Sequence, residues 1–463
     1  MTLIKSISGI RGTIGDPAGQ GLTPIDIVES IAGYGQWIKS HSPARRPVIV
    51  IGRDGRISGP MVHGLATHTL NMMGIDVLDA DLSTTPTIEM AVGWMKADGG
   101  IIITASHNPA HWNALKFLNN KGEFISAEDG QSILNTIAKG DIDFASIEHL
   151  GTTRPLADLY PRHVEDILAM PFVHAGEVKD KGYRVVVDCI NSTGALALPP
   201  LLEALGCDYV LINDEVNGRF AHTPEPLTKH LTQLSDRVQK EGADLGIAVD
   251  PDVDRLVFMD EEGQPFNEEY TLVAVADYIL SQQPGNTVSN LSSTQALADV
   301  THQHGGQYFA AAVGEVNVVN KMKEVHAIIG GEGNGGIIAP DLHYGRDALA
   351  GIALFLTGLA KRGGAVSQWK AALPQYEMYK DKIQLNPEWD VPALLHRMAK
   401  KYQPTQEVLT IDGVKILFED RWVHLRPSNT EPIIRVYTEA PTADAAEQLA
   451  KRFSKELMEF IEG

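Results

Sequence analysis

The chain repeatedly places a run of apolar, mostly β-branched residues directly before a polar loop. Runs of this kind occupy residues 47–58, 99–109, 183–194, 243–255, 286–295 and 326–336. Segments with helical spacing lie between them, such as the one that Thr23 and Pro24 open and the one from Pro60 to Met73 that Gly74 closes. Strands buried on both faces between helices predict α/β layers, and in such sheets the loops at the strand ends build the site.

A chain of 463 residues is too long for one hydrophobic core. The recurring strand–loop units predict three similar α/β/α domains with mixed sheets, at residues 1–153, 154–255 and 256–370. Residues 371–463 differ, because an alternating pattern with a turn at residues 412–413 precedes a helix that Thr442 caps. This last stretch predicts a smaller C-terminal α+β domain, and we expect the domains to surround a central cleft.

The composition excludes some classes of partner. The formal net charge is −20, which argues against a general nucleic-acid binder because phosphate backbones need clustered cations. The two cysteines, Cys189 and Cys207, show no CxxC spacing and are expected to be free and buried. The N-terminus turns polar after four residues, and no apolar stretch is long enough to span a membrane. We therefore expect a cytoplasmic protein with no membrane or nucleic-acid partner.

The stretch DPDVDR, at residues 250–255, carries three closely spaced carboxylates. In an extended chain Asp250, Asp252 and Asp254 point the same way, and they repel one another unless a cation lies among them. Hard oxygen ligands favour Mg²⁺ or Ca²⁺. An EF-hand is disfavoured because Arg255 replaces the required glycine and LVFM reads as a strand. The alternative to a metal site is a solvated acidic turn.

The stretch GGEGNGG, at residues 330–336, formally matches GxGxxG. A dinucleotide site needs a helix next, but IIAP follows. Glycines leave Glu332 and Asn334 accessible on a thin backbone, where they can bind a polyol through hydrogen bonds. The alternative is a plain turn.

The stretch RPSNTEPIIR, at residues 426–435, combines guanidinium groups, hydroxyls and loop amides. This chemistry suits a phosphate, with a polar turn as the alternative. The candidate residues are Arg426, Ser428, Asn429, Thr430 and Arg435.

Ser106 ends the apolar run in IIITASHNP. No GxSxG surrounds it and the chain has no GxxxxGK[ST], so a hydrolase elbow and a P-loop are both disfavoured. Capping of a helix by Ser106 or Asn108 stays open, as does a core role for His107. Taken with the other stretches, a hydroxyl, a carboxylate metal loop, a polyol loop and a phosphate loop favour phosphoryl transfer on a sugar phosphate.

These stretches, in this order, resemble the α-D-phosphohexomutase family over essentially the whole chain. TASHNP is similar to the phosphoserine loop, DPDVDR to the metal loop, GEGNGG to the sugar loop and RPSNTEP to the phosphate loop of that family. The departures are Pro251 in the metal loop, Ala114 after the phosphoserine loop, and Asn334 and Gly336 in the sugar loop, where several members carry serine and histidine. They bear on which sugar is bound and leave the reaction class unchanged.

The resemblance implies a role for each candidate. Ser106 is expected to carry the phosphoryl group and, with Asp250, Asp252 and Asp254, to bind Mg²⁺. Around the transferring group the resemblance places Arg11, His107 and Lys116, which share the acid–base work. The implied substrate-binding residues are Arg255, Gly314, Glu332, Asn334, Arg426, Ser428, Asn429, Thr430 and Arg435.

The resemblance also implies the reaction. A hexose 6-phosphate and a hexose 1-phosphate are interconverted through a hexose 1,6-bisphosphate, in a monomer or a homodimer. The loops look most like those of bacterial phosphoglucosamine mutases, which favours glucosamine phosphate over a mixed phosphomannomutase and phosphoglucomutase specificity. A sugar-phosphate phosphatase and a non-catalytic sugar-phosphate sensor are the rival functions.

Overall fold

The computed structural model describes residues 2–6, 9–17, 19–44, 46–386, 389–428 and 433–462. The chain divides into two compact units, which are described separately. The first unit comprises Met1–Thr271 and Asn334–Gln368, and the second comprises Leu272–Gly333 and Trp369–Gly463. The predicted domain boundaries at residues 153, 255 and 370 stay predictions.

The first unit opens with a seven-stranded sheet, ordered β1-β2-β6-β5-β3-β4-β7. Its strands are β1 (Ile4–Ser6), β2 (Gly9–Thr13), β3 (Val48–Arg53), β4 (Asp76–Leu82), β5 (Gly99–Ile103), β6 (Trp112–Leu118) and β7 (Thr153–Pro155). Its helices are α1 (Pro24–His41), α2 (Gly59–Met72), α3 (Thr85–Met95) and α4 (Ala127–Lys139). Strand β3 pairs in parallel with β4 and β5, whereas β6 pairs antiparallel with β2 and β5. The apolar run at residues 99–103 forms β5, which is buried at every position, as expected of a strand covered on both faces.

The predicted helix starts are confirmed. The Thr23 side chain accepts a hydrogen bond from the Asp26 amide, and the Asp26 side chain accepts one from the Thr23 amide, which completes a capping box. The helix predicted from Pro60 to Met73 runs over Gly59–Met72, with Met73 as its C-cap. The Thr23 cap supplies a partner for a helix-end amide that the helix itself leaves without a bond, whereas the second helix starts after Ser58 without a side-chain cap bond.

A second, four-stranded sheet in the first unit has the order β11-β10-β8-β9. Its strands are β8 (Arg184–Asp188), β9 (Asp208–Ile212), β10 (Leu245–Val249) and β11 (Leu256–Met259). Its helices are α5 (Leu159–Leu168), α6 (Ala175–Lys181), α7 (Gly194–Ala204) and α8 (Thr232–Glu241). Strands β8 and β10 pair in parallel, and the short loop after β10 returns the chain as the antiparallel β11. The unit also contains β15 (Gly336–Ile338) and α12 (Ala348–Arg362), a helix buried over most of its length.

In the second unit β12 pairs in parallel with β13 and β14. These strands are β12 (Asn286–Asn290), β13 (Tyr308–Ala311) and β14 (Ala327–Glu332), and their helices are α10 (Ala296–Gln303) and α11 (Glu315–Val325). Two further helices, α9 (Glu268–Gln282) and α13 (Val366–Ala372), complete this part of the chain. The parallel pairs and intervening helices confirm the predicted α/β class here too.

The C-terminal sheet has five antiparallel strands in the order β16-β20-β19-β18-β17. They are β16 (Glu377–Gln384), β17 (Glu407–Leu409), β18 (Val414–Leu417), β19 (Trp422–Pro427) and β20 (Ile433–Ala440), with helices α14 (Val391–Tyr402) and α15 (Ala443–Glu462). The predicted hairpin is confirmed, because β17 and β18 pair across the turn at residues 412–413. The Thr442 hydroxyl accepts from the Ala445 amide at 3.3 Å, and Phe453 and Leu457 of α15 are buried as predicted.

The remaining expectations concern cysteines and membranes. Cys189 and Cys207 are free and buried, as predicted. No single helix among the described residues is long and apolar enough to cross a membrane, and one bent pair of helices reaches that standard only by length and composition.

Candidate active site

Ser106 lies in a tight turn between β5 and β6, and its backbone is left-handed with φ 46°. The residue is 7% exposed, and its amide donates to the Thr104 hydroxyl at 2.9 Å. No helix begins here, so the capping alternative for Ser106 and Asn108 is wrong: the next element is β6. A non-glycine residue in the left-handed region persists only where its surroundings hold it, and such residues cluster at functional sites.

Arg56 stabilises this turn through hydrogen bonds to its backbone. Its guanidinium donates to the backbone oxygens of Ser106 at 2.5 Å and Asn108 at 2.7 Å. It also donates to the oxygens of residues 109 and 112, and to the Asp54 carboxylate at 3.0 Å. Arg56 is 1% exposed and Asp54 fully buried. Arg56 was not among the predicted site residues, although a charged pair two residues apart in a loop after a buried strand was a usable signal.

The carboxylates of the metal loop converge, but the predicted reason is wrong. Residues 250–255 form a turn between β10 and β11 in which Val253 is left-handed, with φ 61°, and they do not continue the strand. The amides of Asp254 and Arg255 each donate to Asp250 Oδ1 at 3.1 Å. One carboxylate oxygen of each aspartate lies within 4.8 Å of the others.

Each aspartate is held by protein donors. Ser106 Oγ donates to Asp250 Oδ2 at 2.7 Å. Asp252 Oδ2 accepts from the Thr85 hydroxyl at 2.6 Å and from Lys116 Nζ at 2.9 Å, and Asp254 Oδ2 accepts from Arg346 Nη2 at 2.7 Å. These side-chain donors come from distant parts of the chain, so the fold orients the carboxylates of Asp252 and Asp254, whereas Asp250 is also held by amides of the loop itself.

The remaining carboxylate oxygens of Asp252 and Asp254 are suited to bind a metal ion. Asp252 Oδ1 and Asp254 Oδ1 are buried and accept no hydrogen bond within the part of the chain that the structure describes. Burying an anionic oxygen without a donor is costly, and a hard divalent cation with oxygen ligands removes that cost. An EF-hand is excluded because β11 begins at Leu256, directly after the loop. The solvated-turn alternative is wrong, since all of these aspartates are 0% exposed.

Burial and neighbouring charges shift the pKa values of several groups in this cluster. Burial, with the charges of Asp252 and Asp254, raises the pKa of Asp250 well above its usual value. Burial opposes charge on Lys116, but Asp252 and Asp254 together outweigh it and raise the pKa of that amine. Burial, with the charges of Arg255 and Arg346, lowers the pKa of His107 to about 2. Lys116 is therefore a fixed cation and the His107 ring is neutral.

The other residues predicted around the transferring group, and Arg255, occupy defined positions. His107 Nδ1 lies 3.4 Å from Ser106 Oγ. Lys116 is half-buried beside the metal loop, with its Nζ 2.9 Å from Asp252 Oδ2. Arg11 lies on β2, opposite Ala114 of β6. Arg255 Nη1 lies 3.4 Å from the carboxylate of Glu225, which belongs to the PEP stretch at residues 224–226.

A second buried cluster lies outside the predicted site, around His343. Its Nδ1 is 3.3 Å from the Glu89 carboxylate, and its Nε2 is 3.2 Å from Asp347 Oδ2, which also accepts from His163 at 2.9 Å. Burial disfavours the charged ring, but the two carboxylates outweigh it and raise the pKa of His343 to about 10. Because both ring nitrogens face carboxylates, His343 is an imidazolium that ties together α3, α5 and the start of α12.

The sugar loop begins where β14 ends at Glu332, which is 5% exposed. Glu332 Oε1 accepts from Asn290 Nδ2 at 2.9 Å and from the Gly314 amide at 3.2 Å, so two predicted substrate residues meet here. The sequence analysis missed Asn290, which ends β12 as Glu332 ends β14. The chain continues from Gly336 as strand β15, which excludes the dinucleotide fingerprint.

The phosphate loop places two arginines directly opposite each other, Arg426 on β19 and Arg435 on β20. Like charges on facing residues repel, so this pair favours an anion between them. Arg426 Nε donates to Asp412 Oδ2 at 2.7 Å, and the Ser428 amide donates to the Ile433 oxygen at 2.9 Å. Asn429 and Thr430, the other predicted residues of this loop, lie outside the described residues.

Four models of the phosphoglucomutase/phosphomannomutase family match the chain in order. They are alpha/beta/alpha domain I at residues 3–143, domain II at 161–263, domain III at 267–376 and the C-terminal domain at 386–456. The chain belongs to this family, the α-D-phosphohexomutases. It is an enzyme of the phosphohexomutase class, which confirms the predicted fold and reaction class.

Named relatives cover nearly the whole chain. A phosphoglucomutase/phosphomannomutase from Thermococcus kodakarensis is 34% identical over 98% of both chains. A phosphoglucosamine/phosphogalactosamine mutase from Sulfurisphaera tokodaii is 31% identical over 98% of both chains.

Solved structures share the fold. A phosphoglucomutase/phosphomannomutase family protein from Burkholderia thailandensis matches with a TM-score of 0.83 at 27% identity, covering 98% of this chain and 96% of that one. An Aspergillus fumigatus N-acetylphosphoglucosamine mutase, in complex with GlcNAc-6P and magnesium, matches with a TM-score of 0.58 at 14% identity, covering 98% of this chain and 95% of that one.

Proposed function

We propose that the enzyme interconverts hexose 6-phosphate and hexose 1-phosphate through a phosphorylated Ser106 and a hexose 1,6-bisphosphate. The observation that carries the proposal is the 2.7 Å contact between Ser106 Oγ and Asp250 within the carboxylate cluster. Phosphoryl transfer needs positioning and charge neutralisation above all, and this hydroxyl has both around it.

The transfer step exchanges one O–P bond for another. The 1-hydroxyl oxygen of the 6-phosphate attacks the phosphorus on Ser106, so that a new O–P bond forms while the bond from phosphorus to Ser106 Oγ breaks. The proton lost by the sugar hydroxyl is taken up by the departing Ser106 Oγ, which returns to the hydroxyl that donates to Asp250. The His107 ring, whose Nδ1 is 3.4 Å from Ser106 Oγ, lies beside this transfer. Lys116 stays protonated and donates to the phosphoryl oxygens. The reverse step, with the bisphosphate turned over, returns the phosphoryl group to Ser106 and releases the 1-phosphate.

We propose Mg²⁺ as the ion for the carboxylate cluster, held by Asp250, Asp252, Asp254 and a phosphate oxygen on Ser106. When bound, it supplies positive charge beside the transferring group. The two orphaned oxygens, Asp252 Oδ1 and Asp254 Oδ1, support this assignment.

The remaining predicted residues bind substrate in this proposal. Glu332 accepts hydrogen bonds from sugar hydroxyls, with Asn334 and Gly314 in support, and Arg426 and Arg435 hold the phosphate that is not transferred. Arg11 and Arg255 offer further charge to the phosphoryl group. Ser428, Asn429 and Thr430 complete the phosphate loop.

We propose glucosamine phosphate as the preferred substrate. The names of relatives support an amino sugar, since one that is 31% identical is named a phosphoglucosamine/phosphogalactosamine mutase. The relative at 34% identity is named a phosphoglucomutase/phosphomannomutase, so glucose and mannose phosphates are the proper competitors. Specific activity should be measured on the 1-phosphates of glucosamine, N-acetylglucosamine, glucose and mannose. A last place for glucosamine 1-phosphate would show the substrate choice to be wrong.

The reaction is tested with Ser106→Ala and a matched control, Ser132→Ala, at an exposed position on α4. Phosphorus NMR follows conversion of the 1-phosphate to the 6-phosphate, and mass spectrometry follows phosphate on Ser106. We expect Ser106→Ala to lose at least about a thousandfold in kcat and to keep ligand binding, while the control is unchanged. Stoichiometric release of inorganic phosphate by the wild type would favour the phosphatase. Binding without any turnover would favour the sensor.

A further inference from the structure

Arg346 is a buried arginine whose guanidinium reaches the metal loop. It is 8% exposed, and its Nη2 donates to Asp254 Oδ2 at 2.7 Å. Its backbone is held in place, because an isolated bridge joins it to Ile338 and the next amide, that of Asp347, donates to the Ile337 oxygen at 2.8 Å. Asp347 then caps α12. The backbone position from which the Arg346 side chain extends is therefore fixed.

The aliphatic part of the Arg346 side chain packs against Gly336. A Cβ atom at position 336 would lie 2.3 Å from Arg346 Cδ and 3.0 Å from its Cγ. The backbone of Gly336 is not left-handed, so alanine is disfavoured here by side chains, chiefly Arg346, with Asn334 Oδ1 at 3.1 Å from the added Cβ. The absence of a side chain at Gly336 therefore provides the space that the Arg346 side chain occupies on its way to Asp254.

We propose that Arg346 is the positioning residue of the metal site, which fixes the Asp254 carboxylate so that Oδ1 faces the ion. Arg346 takes Oδ2, and Oδ1 is left buried without a hydrogen bond. Two other cations lie near this carboxylate: Lys116, 3.6 Å from Oδ2, already donates to Asp252, and Arg255 Nε lies 4.0 Å from Oδ1 without a hydrogen bond to it. This inference rests on the proposed function only in that the cluster binds a divalent ion. Partners of this kind typically contribute about 10–100-fold in metal affinity or activity.

The test is Mg²⁺ affinity, measured by titration calorimetry on the full-length, metal-free chain. The variants are Arg346→Ala, Arg346→Lys and Gly336→Ala, and the control is Arg362→Met at the exposed end of α12. We expect about tenfold or greater weakening for Arg346→Ala, a smaller loss for Arg346→Lys, weakening for Gly336→Ala, and no change for the control.

A double variant separates positioning from general damage. If Gly336→Ala acts by displacing the arginine, it has no further effect in an Arg346→Ala background, so the two effects are not additive. Additive effects, or wild-type affinity in Arg346→Ala, would overturn the inference, as would a wild type that binds no Mg²⁺. Should Arg346→Ala fail to fold, Gly336→Ala and Arg346→Lys carry the test. Because the titration needs no turnover, a wild type that binds Mg²⁺ but transfers no phosphoryl group would refute the proposed reaction and leave this inference standing.

Discussion

Replacing Arg56 with methionine tests whether the turn at Ser106 is held by one buried cation. The change removes the donors to the oxygens of Ser106 and Asn108, and it leaves the Asp54 carboxylate buried without its counter-charge. Thr104, which also donates to Asp54 at 2.7 Å, remains as a partial partner.

The structure gives the size of the effect. Removing one partner of a buried ion pair costs about 3–5 kcal/mol, because the other charge stays in a dry environment. Here both partners are essentially inaccessible to solvent, with exposures of 1% for Arg56 and 0% for Asp54. At about 2–4 °C per kcal/mol for a body of this size, we expect the melting temperature to fall by about 10 °C.

The assay is thermal unfolding by circular dichroism, with Arg53→Met as the matched control. Arg53 makes a 2.7 Å ion pair with Asp81, whose side chain is 66% exposed, so its loss should cost less than about 1 kcal/mol. Adding Asp54→Asn to Arg56→Met removes the stranded charge and should recover part of the loss. If Arg56→Met melts within about 2 °C of the control, the contacts of Arg56 with Asp54 and with the turn at Ser106 do not stabilise the fold by the amount given above.

Three further predictions follow from other sites. The pKa of His343 is raised to about 10, so its stabilisation is complete below its unfolded value of about 6.5 and is lost as pH rises toward 10. The melting temperature of the wild type should therefore fall more steeply between pH 7 and pH 10 than that of His343→Gln, and parallel curves would contradict this. Lys96 is a left-handed helix cap with φ 50°, so Lys96→Gly should raise the unfolding free energy by about 1 kcal/mol in urea titrations, and no gain would count against strain there. Mg²⁺ at about 100 times its dissociation constant should stabilise the wild type by about 2.7 kcal/mol in a thermal-shift assay and leave Asp254→Asn nearly unchanged. An equal shift in both proteins would place the ion elsewhere.

The sequence was a good guide to the strands and to the loops that follow them. Long β-branched runs have few alternatives to a buried strand, and the polar residues at their ends are then delivered to one edge of a sheet. Ser106 after β5 and Glu332 at the end of β14 were predicted as site residues in this way. The carboxylates of the metal loop were also found, because three acids at alternate positions need a cation.

The supporting residues were not found, and the reason is sequence separation. Arg346 and Asp254 are 92 residues apart, and Thr85 and Asp252 are 167 apart, so no local pattern indicates either contact. The turn of the metal loop was missed because it places Val253 in a left-handed conformation that β-branched residues rarely adopt. Only the completed fold provides the contacts that keep it there.

The scattered origin of the donors to the aspartates has a consequence for biosynthesis. Thr85 and Lys116 are translated before the metal loop, whereas Arg346 follows it by 92 residues. A nascent polypeptide therefore exposes its acidic trio while one of the stabilising partners has not yet been made. Since domains fold as units during synthesis, we expect the buried arrangement of the three aspartates to form only after the residues up to Arg346 have been made.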